Sequence, residues 1–277
     1  MSIEDIKPVA IDFTLTDIQS EMLRIAKHLH DFCEEHELNY IICGGSLLGA
    51  IRHHGFIPWD DDFDVLMPRE DYEKFKKLWP SDRDLQVISI GDPHYVKVGT
   101  PSKLHNPKYR VEEINEVANG MPRYNPYGLF VDIFPLDKYP DNLMGRIMNK
   151  FLGKVFLAKS LSKFANGNRT FRRRLAISIF RYIPNRLINF IRNRSIQKLR
   201  QLDSKYKLGF GVETSISNLM IGEEKLFPRS KIKFEDFYFY GPQDPDAYLS
   251  MRFGDYMEVP DPEHRKAHIV GIAKVKA

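Results

Sequence analysis

Four aspartates stand among the five positions 60 to 64 of "GFIPWDDDFDVLM", and an apolar run follows at once. Like charges at this spacing repel one another and resist leaving water, so a fold that feeds this segment into a core must bring a counter-charge to it. Asp60, Asp62 and Asp64 alternate with Asp61 and Phe63, and on an extended segment alternate residues share a face. Two carboxylates so placed can share a divalent cation, with oxygens at roughly 2.0–2.1 Å for Mg²⁺. An EF-hand loop starting at Asp60 fails, because its sixth position needs glycine and holds Val65.

Upstream, "NYIICGG" reads as a strand ending in a glycine pair and "SLLGAIRHHG" as a short helix closed by Gly55. Gly44 and Gly45 let backbone approach a ligand closely, while the N–H groups at a helix beginning with Ser46, and its hydroxyl, point at an anion. A P-loop is excluded, because the Gly-Lys-Ser/Thr that it requires does not follow. The helix-borne aspartate motif of prenyl synthases is excluded too, since Pro58 and Pro68 bracket too short a segment. Phosphates held between a helix start and metal-binding aspartates suit phosphoryl transfer. Arg52, His53 and His54 on the short helix can hold a donor, and Lys97 and Lys103 can meet a phosphate. Asp132 lies inside the apolar run 129–134, where an acid is costly to bury unless something positive meets it.

The remaining pattern is that of an α+β protein. Ile18, Met22, Ile25, Leu29 and Phe32 recur at helical spacing behind a Thr16/Gln19 capping box. "LQVISI", "YVKV" and "GLFVDIFPLD" read as strands, with Pro135 expected to end pairing in the last. Residues 1–140 form the expected catalytic core, a mixed β-sheet flanked by helices. Residues 141–207 form a basic helical insertion, and 208–277 a mixed C-terminal part that completes the same domain.

In the insertion, Leu143, Ile147, Phe151 and Val155 make one apolar stripe, and Leu175, Ile179, Tyr182, Ile183 and Leu187 another, with Pro184 between two helices. Between positions 143 and 205 stand sixteen Lys or Arg against one acid, Asp203, so this segment is far more basic than a chain whose net charge is +4. Such a face suits a polyanionic partner, an anionic membrane surface above all, or simply solvent. Nucleic acid is disfavoured by the aspartates. The N-terminus lacks the basic and apolar regions of a signal peptide, and two cysteines, Cys33 and Cys43, suit buried reduced thiols. A cytoplasmic protein, peripheral to the inner face of the membrane, is expected.

A glycine pair with Ser46, a short helix, and then Asp62-Phe63-Asp64 resembles the active site of the nucleotidyltransferase superfamily. More narrowly, "GGSLLGAIRHHGFIPWDDDFDVLMPREDYEKF" with "FVDIFPLD" downstream resembles the LicD family of phosphocholine transferases, related to fukutin and fukutin-related protein. "FGDYMEVPDPEHRKAH" resembles the family's C-terminal pattern more loosely. The resemblance implies that Asp62, Asp64 and Asp132 are the catalytic carboxylates and hold Mg²⁺, with Mn²⁺ as a substitute. Gly44, Gly45, Ser46, Arg52 and Lys103 would then bind the donor. It further implies a CDP-activated alcohol, most often CDP-choline, as donor, and as acceptor a hydroxyl of a cell-surface glycan or glycolipid such as a teichoic acid, lipopolysaccharide or capsule precursor. CMP would leave. Transfer of a nucleotide with release of pyrophosphate, or of ribitol or glycerol phosphate, stands as the alternative.

Overall fold

Apolar residues three and four apart on a capped helix must bury one face, and the first helix, α1 (Leu15–Glu35), buries Ile18, Met22, Ile25, Leu29 and Phe32 as its spacing predicts. Its cap differs from the expected one. Thr14 is the N-cap and Asp17 closes the capping box, because a carboxylate at the third helical position also meets the positive end of the helix. The computed structural model describes residues 9–10, 12–80, 84–90, 92, 100–118, 127–162, 171–202, 207–214, 219–265 and 267–275. The expected strand "YVKV", with Lys97, lies outside the described residues.

In chain order the elements are β1 (Val9–Ala10), α1, β2 (Ile41–Ile42), α2 (Gly44–His53), β3 (Asp64–Pro68), α3 (Arg69–Leu78), β4 (Gln86–Ser89), β5 (Ser102–His105), β6 (Tyr109–Glu113), α4 (Ile114–Ala118) and β7 (Phe130–Lys138). Three helices follow, α5 (Leu143–Leu161), α6 (Phe171–Tyr182) and α7 (Asn185–Arg200). The chain then forms β8 (Lys207–Phe210), β9 (Ile221–Gly222), α8 (Glu223–Leu226), β10 (Ser230–Phe234), β11 (Phe237–Gly241), α9 (Pro245–Phe253) and β12 (Ile269–Lys274). The fold is α+β, with a mixed sheet in the order β2-β3-β7-β5-β4, extended by β8 and β9, and helices around it. A smaller sheet runs β1-β12-β6, and β10 and β11 form a hairpin.

Strand β7 is the spine. It pairs parallel with β3 on one side, and on the other first with β5 and then with β8. Pro135 does not end it, contrary to expectation. The ladder with β5 stops at Ile133 and that with β8 begins at Leu136, so the missing proline N–H falls in the gap between two partners. Its carbonyl still accepts from Gly211 N at 2.8 Å.

The main core runs from Ile18 through Ile272 and includes Phe63, Val65, Ile133, Phe239 and Leu249. Both cysteines are buried and free. At its edge His105 is buried on β5, and its Nδ1 accepts from Gly128 N at 3.1 Å. Burial, with Lys103 and Arg110 nearby, pushes this imidazole down to about 3. A histidine depressed in the fold leaves stability intact above its unfolded value of about 6.5 and removes it as pH falls from there toward 3. Urea unfolding should therefore lose up to about 1.4 kcal/mol per pH unit in that window, and His105→Asn should flatten the slope. Parallel slopes for the two proteins would show that His105 does not carry the effect.

Candidate active site

Extended backbone paired on both sides presents its side chains in register across strands, and here this places acid beside acid. Asp64 opens β3 directly opposite Asp132 on β7, and Asp132 in turn faces Lys103 on β5. Asp60 to Phe63 precede the strand as an irregular segment, and β3 begins at the last of the four aspartates. The reason is visible in what each carboxylate touches.

Asp61 is held by backbone of the C-terminal strand. Its oxygens accept the backbone N–H of His268 at 2.8 Å and of Ile269 at 2.5 Å, and His268 Nδ1 lies 3.2 Å away. This buried carboxylate thereby anchors the start of β12. Charge-assisted bonds of this kind are strong, and an amide cannot accept with both of its terminal groups. Asp61→Asn should cost about 2 kcal/mol, read as a lowered thermal midpoint; an unchanged midpoint would contradict the anchor.

Asp60 and Asp62 turn toward α2. A methyl group added at Gly45 would lie 2.6 Å from Asp60 Oδ2 and 3.7 Å from Asp62 Oδ1, and one at Gly44 would lie 2.7 Å from Asp64 Oδ2. The glycine pair is thus the seat of the carboxylates themselves. The pair also forms the first turn of α2, which begins at Gly44 and not at Ser46 as expected. Gly44 takes φ +56°, open to glycine at no steric cost, and its N–H donates to the buried Tyr248 hydroxyl of α9 at 3.2 Å. Ser46 Oγ accepts from Asp64 N at 2.7 Å, so this hydroxyl ties the helix to β3. Helix geometry leaves the N–H groups of Gly45 and Ser46 without partners inside the helix, and the positive end of α2 faces the acids.

His268 supplies a counter-charge that sequence reasoning missed. Its Nδ1 lies 3.5 Å from Asp62 Oδ2, and the hydrogen bond with Asp61, aided by Asp62 and Asp60, pushes its pKa up to about 9. Burial and the neighbouring Asp62 push the Asp60 carboxyl up to about 8. Ligand atoms of Asp60, Asp62 and His268 all fall within 4.8 Å of one another. Two carboxylates and an imidazole at this spacing are a donor set that fits a divalent cation such as Mn²⁺ or Mg²⁺. The histidine lies within "PEHRKAH", the signal from which it was legible.

Asp132 is met differently. Lys103 Nζ lies 3.0 Å from its Oδ1, Thr100 Oγ1 donates to its Oδ2 at 3.0 Å, and Glu113 stands 3.5 Å from the same ammonium. Lys103 is fully buried, over the face of Phe130, so the structure sets it as the companion of Asp132 rather than at the surface where a donor would reach it. Arg52 likewise is committed elsewhere. Its Nη1 donates to the carbonyls of Tyr256 and Glu258 at 2.9 and 3.0 Å, pinning the C-terminal loop to α2, and its Nε donates to His53. Asp137 forms a buried bidentate pair with Arg69, which also holds Glu213. These bonds lie toward the far end of β7 from Asp132.

Residues 37–151 match the family model described as the LicD/FKTN/FKRP nucleotidyltransferase domain. Over 265 residues the chain is 27% identical to the lipopolysaccharide cholinephosphotransferase LicD of Haemophilus influenzae, covering 92% of this chain and 96% of that protein. Uncharacterised proteins of Rickettsia typhi and Rickettsia prowazekii are each 35% identical over 83 and 78 residues, or 26% and 24% of this chain and 27% and 29% of theirs. The stretch that matches the LicD/FKTN/FKRP model holds α2, the aspartate segment, β3, β5 and β7, and it is in these elements that the chain is similar to the LicD family.

Proposed function

We propose that the chain is a divalent-metal-dependent phosphotransferase that moves a phosphoalkyl group, phosphocholine first among candidates, from a CDP-activated donor to a hydroxyl of a cell-surface glycan and releases CMP. The observation that carries the reading is the convergence of Asp60, Asp62 and Asp64 on the glycine turn of α2, with Asp132 in register beside Asp64. The likeness to the Haemophilus influenzae enzyme supports phosphocholine as the group and a lipopolysaccharide-type glycan as the acceptor.

Asp62 with Asp60, and Asp64 with Asp132 on the adjoining strands, are the residues that would hold Mg²⁺ or Mn²⁺. A cation bound there would supply charge neutralisation of the donor diphosphate and a lowered pKa of the acceptor hydroxyl. The chain's own groups supply the rest. The N–H groups of Gly45 and Ser46 hold phosphate oxygens at the positive end of α2. Ser46 Oγ fixes the backbone of Asp64, so that its carboxylate keeps its place against Gly44. Lys103 and Thr100 fix Asp132 through opposite oxygens, and Asp61 holds the strand that brings His268 to the acids. Donors aimed in advance at developing charge need no reorganisation during reaction.

The test is incubation of the purified protein with a panel of CDP-alcohols and a glycan acceptor, with Mg²⁺ or with EDTA, followed by nucleotide analysis. CMP released only with metal and acceptor supports the reading. Pyrophosphate from a nucleoside triphosphate, with no CMP from any CDP-alcohol, would replace it with nucleotidyl transfer.

A further inference from the structure

Helices α5 to α7 carry their apolar residues on two sides, and among the described residues one side packs into protein while the other stays exposed. Phe156 of α5 and Ile188 and Leu199 of α7 close on Val212 in a small core of their own. Lys159 Nζ of α5 donates to the carbonyls of Phe180 and Ile183, so α6 ends against the same unit. On the opposite side of α5, Leu143, Met144, Ile147, Met148 and Phe151 are each between 51 and 72% exposed. These five recur along one helical face over rather more than two turns. Leu175, Ile179 and Tyr182 repeat the pattern on α6 at 59, 60 and 85%, and Phe190 does so on α7 at 66%.

Exposed apolar residues are ordinary when single, but apolar stripes repeated along two helices of one unit, with Phe190 exposed on the third, are not. The charge around the stripes is equally one-sided. Lys150 and Lys154 on α5, Arg181 on α6 and Arg186, Arg194 and Lys198 on α7 are all exposed, and the segment contains a single acid. A second copy docked through this face would oppose cation to cation. A nucleic acid would meet the cations yet leave the aliphatic stripe in contact with phosphate and water. An anionic lipid surface satisfies both, taking the apolar stripe into the headgroup boundary and the ammonium and guanidinium groups onto lipid phosphates. No helix among the described residues is long and apolar enough to cross a membrane, so the geometry suits lying on a bilayer and not spanning it as a helix.

We propose that the outer faces of α5, α6 and α7 form a docking surface for an anionic lipid bilayer. The proposal stands on this face alone and does not depend on the transfer chemistry, so the two can fail separately. Its test is flotation of the full chain with vesicles of phosphatidylcholine alone or mixed with phosphatidylglycerol, at low and at high salt. The protein should float with the anionic vesicles at low salt and be released by high salt. At roughly fivefold per cation, the triple variant Lys150→Gln, Lys154→Gln, Arg194→Gln should partition on the order of a hundredfold more weakly. Phe151→Ser with Phe190→Ser should weaken binding by a separate route. All five positions are exposed, and unchanged melting curves would confirm that each variant is folded. Absence of flotation with anionic vesicles at low salt, equal flotation with zwitterionic ones, or folded variants that float like the parent would overturn the proposal. Light scattering that finds dimers, dissolved by the phenylalanine substitutions and with no vesicle binding, would assign the face to a second copy instead.

Discussion

Asp62→Asn and Asp64→Asn should each lower metal-dependent transfer on the order of a thousandfold while leaving the fold intact, because metal-centred charge stabilisation contributes several kcal/mol to such reactions. Each substitution keeps side-chain shape and removes one negative charge. The hydrogen bond that ties β3 to α2 runs from the backbone N–H of Asp64 to Ser46 Oγ, so an asparagine side chain there does not disturb it. In the metal-free protein the acids crowd against one glycine turn, and losing one relieves repulsion. The melting temperature should therefore stay or rise as activity collapses. Asp61, one residue from Asp62, should behave in the opposite sense, losing stability, because its charge is spent on the N–H groups of His268 and Ile269. CMP release and thermal melting, measured on the same three variants, separate the roles. Full turnover of Asp64→Asn with Mg²⁺ present would remove the metal mechanism, and a large drop in its melting point would recast Asp64 as structural.

The sequence makes legible whatever depends on local periodicity or on backbone chemistry. The buried face of α1, the β10–β11 hairpin, α9 with its Gly254 cap and the break at Pro184 all follow from residues within a few positions of one another. Elements whose shape is decided by a distant partner were not legible. Pro135 passes through β7 only because β5 and β8 divide one strand edge between them, and no local rule states that division. Alternation puts Asp60, Asp62 and Asp64 on one face of an extended segment, but what holds Asp61 is a pair of backbone N–H groups more than two hundred residues away. His268 reaches the acids by the same route, so a reading confined to the neighbourhood of the motif could not place it. The stripes on α5 to α7 were legible as stripes. Which side of each helix meets protein depends on Val212 and on the small core around it, and periodicity does not carry that information.

Lys103 gives the second large effect, and it distinguishes a residue that touches a donor from one that holds the site together. Its side chain has no exposed surface, and it sits between Asp132 at 3.0 Å and Glu113 at 3.5 Å over the ring of Phe130. Desolvating an ammonium is costly, and the two carboxylates offset that cost only while all three remain together. Lys103→Met fills nearly the same volume but withdraws the cation, leaving two buried acids, Asp132 on β7 and Glu113 on β6 of the smaller sheet, to repel each other. Breaking a buried pair from one side typically costs about 3–5 kcal/mol, and a loss of that size should appear as an earlier urea transition. Adding Glu113→Gln to Lys103→Met should recover part of the loss, since one of the repelling charges is gone. A donor-binding lysine would respond differently: KM for the CDP-alcohol would rise while the unfolding transition stayed where it was. An unshifted transition in Lys103→Met would therefore return this residue to the donor. A destabilised variant partly restored by Glu113→Gln would fix it as the internal cation that holds Asp132 in register with Asp64.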